Sequence, residues 1–292
     1  MGSLKKTVTT LLKIVVSALL IYFIYNKIDL ENIWNTLQSA NIAYIALALL
    51  FFIFSKILAA FRLNCFFHSI AIPLTHNSNL VLYSLGMFYN LFLPGGIGGD
   101  AYKAYLLKNK FKIPTKKIVL TLFTDRLIGL LALYLYASVL VLVLPQKWLV
   151  DSRWVIIVLM PLSILTLWLL TRYLFKEVAG IFKKVLAYSA VIQFMQLCCV
   201  WCLMLALHIH VQTLAYLTLF LISSIVAILP LTLGGIGSRE ATFFYGATLL
   251  QLNEVDALSI SVLFFIITAL VSLCGMLYHF KKVSLQVVKN TR

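Results

Sequence analysis

Long apolar runs separated by short charged loops make up most of the chain. A helix of about 20 residues covers the hydrocarbon core of a bilayer. Six runs reach that length, at about 7–27, 42–61, 118–144, 154–172, 186–208 and 254–280. Between the first two, "DLENIWNTLQSAN" is polar but places Ile33, Trp34 and Leu37 at helical spacing, which predicts a short interfacial helix. "RYLFKEVAGIFKK" predicts a second one before the fifth crossing. Two further apolar segments, near 79–93 and 216–233, run into "LPGGIGGDAYKAYLL" and "LTLGGIGSREATFFY", and each fits a full span or half of one.

Of the 292 residues, 62% are apolar and 11% charged. A soluble domain carries about 25% charged residues, so the composition reads as an integral membrane protein. The net charge of +15 gathers at the ends of apolar runs, which makes it a topology signal and excludes nucleic acid as the partner it points to. If 79–107 dips into the bilayer and returns, Lys5, Lys6, Arg62, Lys103, Lys108, Lys110, Lys112, Lys116, Lys117, Arg172, Lys176, Lys183, Lys184, Lys281, Lys282, Lys289 and Arg292 share one side. Lys27, Lys147, Arg153 and Arg239 are left on the other. By the positive-inside rule both termini are then expected to be cytoplasmic. The first run is too long for a cleaved signal and reads as a retained span.

Shifted by 139 residues, "LVLYSLGMFYNLFLPGGIGGD" lies on "LFLISSIVAILPLTLGGIGSR" without a gap. Gly95, Gly96 and Gly98 meet Gly234, Gly235 and Gly237, and the neighbouring spans coincide at the same shift. The predicted fold is an all-α polytopic membrane protein forming a single membrane domain, 1–292, with a first repeat over 1–145 and a second over 146–292. Each half holds three spans plus one glycine-hinged re-entrant hairpin, giving six full spans, two hairpins and eight hydrophobic segments. Three is odd, so the repeats are inverted, a plan in which interrupted helices meet at a binding site.

The hinges carry the candidate chemistry. Irregular backbone inside a bilayer survives only where protein or a watery cavity satisfies it. Gly95, Gly96, Gly98 and Gly99 precede Asp100 and Lys103, while Gly234, Gly235, Gly237 and Ser238 precede Arg239 and Glu240. Helices starting there would aim free N–H groups at an anion. Asp125 and Arg126 fall inside the apolar run "IVLTLFTDRLIGLLALYLY", where a charge costs about 2.5–3.5 kcal/mol and usually serves a function. Asp125 is expected to meet Arg239, and Arg126 to meet Asp100 or an anionic ligand; a purely structural kink and ion pair are the plainer alternatives. Lys56 is expected to snorkel to the cytoplasmic interface beside Arg62. Cys199 and Cys202 read as packing residues, and His208 with His210 as interfacial ones. No catalytic residues, metal site or cofactor are assigned.

At "LPGGIGGDAYKAYLL", "TDRLIGLLAL" and "LTLGGIGSREATFFYGATLL" the chain resembles a flippase-like membrane family. That family includes the membrane region of lysylphosphatidylglycerol synthases and relatives associated with archaeal dolichol-linked glycosylation. The resemblance implies a domain that moves lipids between leaflets. The soluble aminoacyl transferase domain of those synthases is not expected in a chain ending "HFKKVSLQVVKNTR", so the protein is not expected to be an enzyme. The expected function is translocation of an anionic or modified phospholipid, or a polyprenyl-linked lipid, with Asp100, Asp125 or Glu240 as proton carriers if an ion gradient drives it. Two alternatives stay open: a non-transporting partner that docks an envelope-biosynthesis enzyme on the basic cytoplasmic face, and a transferase using Asp100 or Asp125 as base.

Overall fold

In a computed structural model, which describes residues 30–92, 98–146, 153–228, 237–279 and 285–288, the apolar runs are helices whose ends are set by flanking polar residues. In chain order these are α1 (Leu30–Gln38), α2 (Ile42–Ser69), α3 (His76–Phe92), α4 (Gly98–Phe111), α5 (Thr115–Val143), α6 (Arg153–Leu174), the single turn α7 (Lys176–Ala179), α8 (Phe182–Ala206), α9 (Thr213–Ile228), α10 (Ser238–Leu250), α11 (Glu254–Leu273) and α12 (Met276–His279). Asn41 caps α2 by accepting from the Ala43 N–H at 2.9 Å, and Asn253 caps α11 by accepting from Val255 and Asp256. Each side chain satisfies donors that a helix start leaves orphaned.

Among the described residues five helices are long and apolar enough to cross a membrane: α2, α5, α6, α8, and α11 continued to Tyr278. The protein is thus a multi-pass, all-helical membrane protein. The expected first span, 7–27, lies outside the described residues. Both polar stretches expected to be helical contain one, α1 and the single turn α7. The two segments of ambiguous length become α3 with 17 residues and α9 with 16, each followed by a shorter helix, α4 with 14 and α10 with 13. All four fall short of the roughly 20 residues a crossing needs.

Two boundaries depart from the sequence reading. Helix α2 runs on to Ser69, past the expected end at 61, because its polar residues find partners inside the fold. Asn64 donates to the Leu74 carbonyl at 3.1 Å, and Arg62 is buried rather than in a loop. At the other end, α11 stops at Leu273 and the chain turns at Gly275, where a Cβ would collide with the Ser84 carbonyl of α3.

The packing is uneven. Helix α8 lies along α2 and also touches α5, α9 and α11, while α3 pairs with α4 and α9 with α10. The largest apolar core joins α8, α9, α10 and α11 through residues such as Met204, Phe220, Phe243 and Phe264. By contrast α6 buries little besides Thr171 and exposes Trp154, Ile157, Val158, Leu162 and Leu165, a surface suited to lipid. Residues 285–288 lie against the turn before α3: Thr75 N–H donates to the Gln286 carbonyl at 3.1 Å, Val288 N–H to the Pro73 carbonyl at 2.9 Å, and Lys110 donates to the Leu285 carbonyl.

The α3–α4 pair depends on a close approach. A Cβ at Gly99 would overlap the backbone carbonyl of Gly86, so α4 begins with its first turn pressed on α3. Gly180 has nothing within 4 Å of the position its Cβ would take. Gly99→Val is therefore expected to lower stability in detergent by about 1–3 kcal/mol, the usual cost of overpacking. Gly180→Ala should stay within about 0.5 kcal/mol of wild type, as unconstrained surface changes do. Unfolding by SDS titration compares the two; equal stability would mean the contact is not needed.

Candidate functional site

A cavity of about 390 Å³ opens between the helices that follow the glycine motifs and the long spans around them. Its wall includes Lys56 and Arg62 from α2, Tyr83 and Asn90 from α3, Asp100 and Lys103 from α4, Asp125, Arg126 and Gly129 from α5, Gln193 and Gln196 from α8, Ser224 from α9, Arg239 from α10, and Phe264 and Thr268 from α11. Both halves of the chain contribute. The volume lies within the range of small-molecule pockets, about 300–1,000 Å³.

The start of α4 fixes the first group of charges. The Gly99 N–H donates to Asn90 Oδ1 at 2.8 Å, which ties α4 to the end of α3. Asp100 and Lys103, three apart, then share a helix face. Lys103 Nζ donates to Asp100 Oδ1 at 3.0 Å, and Arg126 Nε reaches across from α5 to Asp100 Oδ2 at 2.5 Å. The Lys103 side chain is 7% exposed; its stem crosses Gly86, where any Cβ would strike it, and its ammonium lies 5.1 Å from the Tyr83 ring. One carboxylate thus holds two cations, and the expected Arg126–Asp100 contact forms.

The second group corrects the sequence reading. Asp125 does not meet Arg239; it binds Arg62, with Nε to Oδ1 at 2.9 Å and Nη2 to Oδ2 at 3.1 Å, while Arg62 Nη1 donates to Ser189 Oγ of α8 at 2.7 Å. The fork geometry of guanidinium on carboxylate explains the choice. Arg62 comes from a neighbouring helix that packs along the same face of α5. Gly129, one turn beyond Asp125, makes room: a Cβ there would lie 3.2 Å from Arg62 Nη1. Such a pair stitches α2, α5 and α8 together.

The remaining cations have no carboxylate partner among the described residues. Lys56 does not snorkel to the interface; its ammonium lies in the cavity wall, 4.5 Å from the centre of the Phe52 ring. Arg239 stacks at 4.6 Å over Phe264 and 6.0 Å over Phe220. Phe264 packs edge-on against both Phe52 and Phe220, so the two cations sit on one aromatic cluster. Glu240, next to Arg239, is turned into the start of α10, accepting from the Gly237 N–H at 2.7 Å and from Ser261 at 3.4 Å. Gly237 has φ of 83°, a left-handed conformation that glycine adopts freely.

Of the expected site residues, Gly98, Gly99, Asp100, Lys103, Asp125, Arg126, Gly237, Ser238, Arg239 and Glu240 are described. Gly95, Gly96, Gly234 and Gly235 lie outside the described residues. Two N–H donors expected to face a ligand, those of Gly99 and Gly237, are taken by Asn90 and Glu240. Sequence reasoning missed Arg62, Lys56, Gln193 and Gln196 as cavity residues. The glutamines had a readable signal, standing at helical spacing inside the apolar run "AVIQFMQLCC".

Ser238, the residue before Arg239, faces the other way. With Thr242, Tyr245, Gly246 and Leu249 of α10 it lines an apolar groove of about 560 Å³ closed by α9 and the end of α5. The first turn of α10 therefore divides a polar cavity from an apolar groove.

Removing one member of a mostly buried ion pair strands the other, at a cost of about 3–5 kcal/mol. Asp125→Asn should destabilise the protein by that order, and the double change Arg62→Met with Asp125→Leu should recover most of the loss. Arg126→Gln leaves Asp100 paired with Lys103 and should cost less than Asp125→Asn. SDS or thermal unfolding of the purified variants checks the ranking; a wild-type transition for Asp125→Asn would contradict the pairing.

Residues 10–275 match a family of membrane domains described as the Lysylphosphatidylglycerol synthase TM region. No curated protein gives a match. The matched stretch takes in every described helix that lines the cavity, and it covers well over half of the chain. On that match the chain belongs to the Lysylphosphatidylglycerol synthase TM region family.

Proposed function

We propose that this protein is a lipid translocase of a prokaryotic cytoplasmic membrane, moving the headgroup of an anionic lipid through the cavity between its two halves. The observation that carries the reading is the charge on the cavity wall: Lys56, Arg62, Lys103, Arg126 and Arg239 against Asp100 and Asp125. Buried charge left unbalanced is expensive, so a surplus of cations favours an anion as occupant. The adjoining apolar groove favours a lipid over a soluble anion. A headgroup held at Arg239 has Ser238, and with it a path for an acyl or isoprenyl chain, on the opposite side of the same helix turn.

Alternating exposure of that cavity would come from an inverted repeat. The helix order supports it: α2, α3, α4 and α5 begin at 42, 76, 98 and 115, and α8, α9, α10 and α11 begin at 182, 213, 238 and 254. The shift stays close to 139 throughout. In this reading 1–145 and 146–292 are the two repeats, and both termini are cytoplasmic. The pairs α3–α4 and α9–α10 are re-entrant hairpins that enter from opposite sides and rock against the long spans. Asp100 and Asp125 are held in ion pairs and Glu240 in a helix cap, so in this scheme the carboxylates hold the hairpins while the cations meet the headgroup.

Exchange of labelled lipids between leaflets of liposomes, with and without purified protein, tests the proposal. Wild type should speed exchange of an anionic lipid, and Arg239→Ala should reduce it about ten-fold or more, the order expected when one charged contact of a bound group is lost. An unchanged rate with wild-type protein across phospholipid and polyprenyl-phosphate probes would refute translocation. It would favour instead a docking role for the exposed Lys108, Lys110, Lys112 and Lys116.

A further inference from the structure

We infer that the headgroup this cavity takes carries two or more negative charges on a terminal phosphate, as in a phosphomonoester or diphosphate lipid, and not the single charge of a phosphodiester. The inference rests on the cavity being a headgroup site, and deepens that reading by naming the ligand's charge.

The balance of charge is local. Arg62 is saturated by both oxygens of Asp125 and by Ser189. Asp100 answers two cations, Lys103 and Arg126, with one charge. Lys56 and Arg239 have only ring faces beneath them among the described residues, and they repel each other across the cavity wall. Among the described residues the cavity wall therefore carries three positive charges in surplus, two of them on Lys56 and Arg239, which rest on the adjoining rings of Phe52 and Phe264. Ring faces attract cations but do not neutralise them.

A phosphodiester would cancel one of those two charges and leave the other unbalanced in an apolar surround. A terminal phosphate brings a second charge and a third free oxygen, and so serves the three ammonium donors of Lys56 and the guanidinium fork of Arg239 together. The wall is unfinished at another point as well. Gln193, 5% exposed, carries an amide oxygen with no hydrogen-bond partner among the described residues, and it lines the same cavity. A buried polar atom of this kind is normally satisfied by a ligand or an ordered water.

The test is calorimetric titration of the full-length protein in neutral phosphatidylcholine nanodiscs with four probes: short-chain phosphatidic acid, farnesyl phosphate, short-chain phosphatidylglycerol and inorganic phosphate. Phosphatidic acid and farnesyl phosphate should bind about ten-fold or more tighter than phosphatidylglycerol, the scale of one additional charge-assisted contact. Lys56→Gln and Arg239→Gln should each collapse that preference, and Lys56→Arg, which keeps the charge, should retain it, which also guards against a merely misfolded variant. Equal affinity for phosphatidic acid and phosphatidylglycerol, or a preference untouched by both glutamine variants, would overturn the inference. Inorganic phosphate binding as tightly as the lipids would support the charge assignment while removing the lipid reading. Selective binding without any leaflet exchange would support it while removing transport.

Discussion

Charge inside an apolar helical bundle has to be balanced, and that constraint organises this protein. The Arg62–Asp125 fork, completed by Ser189, joins α2, α5 and α8 at a point that no apolar contact could specify so sharply. Hydrophobic packing gives little direction to helices in lipid, whose tails are as apolar as the side chains. Directional pairs and close backbone contacts do that work. Gly99 against Gly86, Gly129 beneath Arg62 and Gly275 against Ser84 let the helices approach until the ion pairs close.

The two halves use this constraint differently. Asp100 of the first half is matched, at the 139-residue shift, by Arg239 of the second, and Asp125 is matched by Phe264. In the first half two carboxylates answer Arg62, Lys103 and Arg126, while Lys56 rests on Phe52 and, from the second half, Arg239 rests on Phe264. The two stretches thus share an order of helix starts and differ in how their charges are balanced. The cavity wall therefore carries ion-paired cations at one part and ring-supported cations at another, with the apolar groove on the other side of the first turn of α10.

Much of the fold was legible because membrane helices obey a length rule and because the helix order recurs at one shift. The spans at 118–144 and 154–172 fell within three residues of α5 and α6. The end of α2 was not legible: "RLNCFFHS" looks like a polar stop, and only the partners supplied by Asp125, Ser189 and Leu74 make it a buried continuation. Asp100, Asp125, Arg126 and Arg239 stood out as charges in apolar or glycine-rich settings. Lys56 and Arg62 did not, because a flexible basic side chain near a run's end reads as an interfacial one. Their counterparts in the repeat, Met195 and Trp201, gave no warning either. Pairing was the least legible of all, since adjacent residues on a helix point about 100° apart and several partners lay within reach.

The central claim is that a single polar chamber between the two halves opens to water from either side of the membrane. Its most direct measurement is the labelling of one cysteine at Gln193, in a chain with Cys65, Cys198, Cys199, Cys202 and Cys274 replaced by serine or alanine. A membrane-impermeant thiol reagent would be applied to right-side-out and to inside-out vesicles. The account predicts labelling from both sides, slowed in each case by a bound anionic lipid. Labelling from one side alone, or from neither, would contradict it.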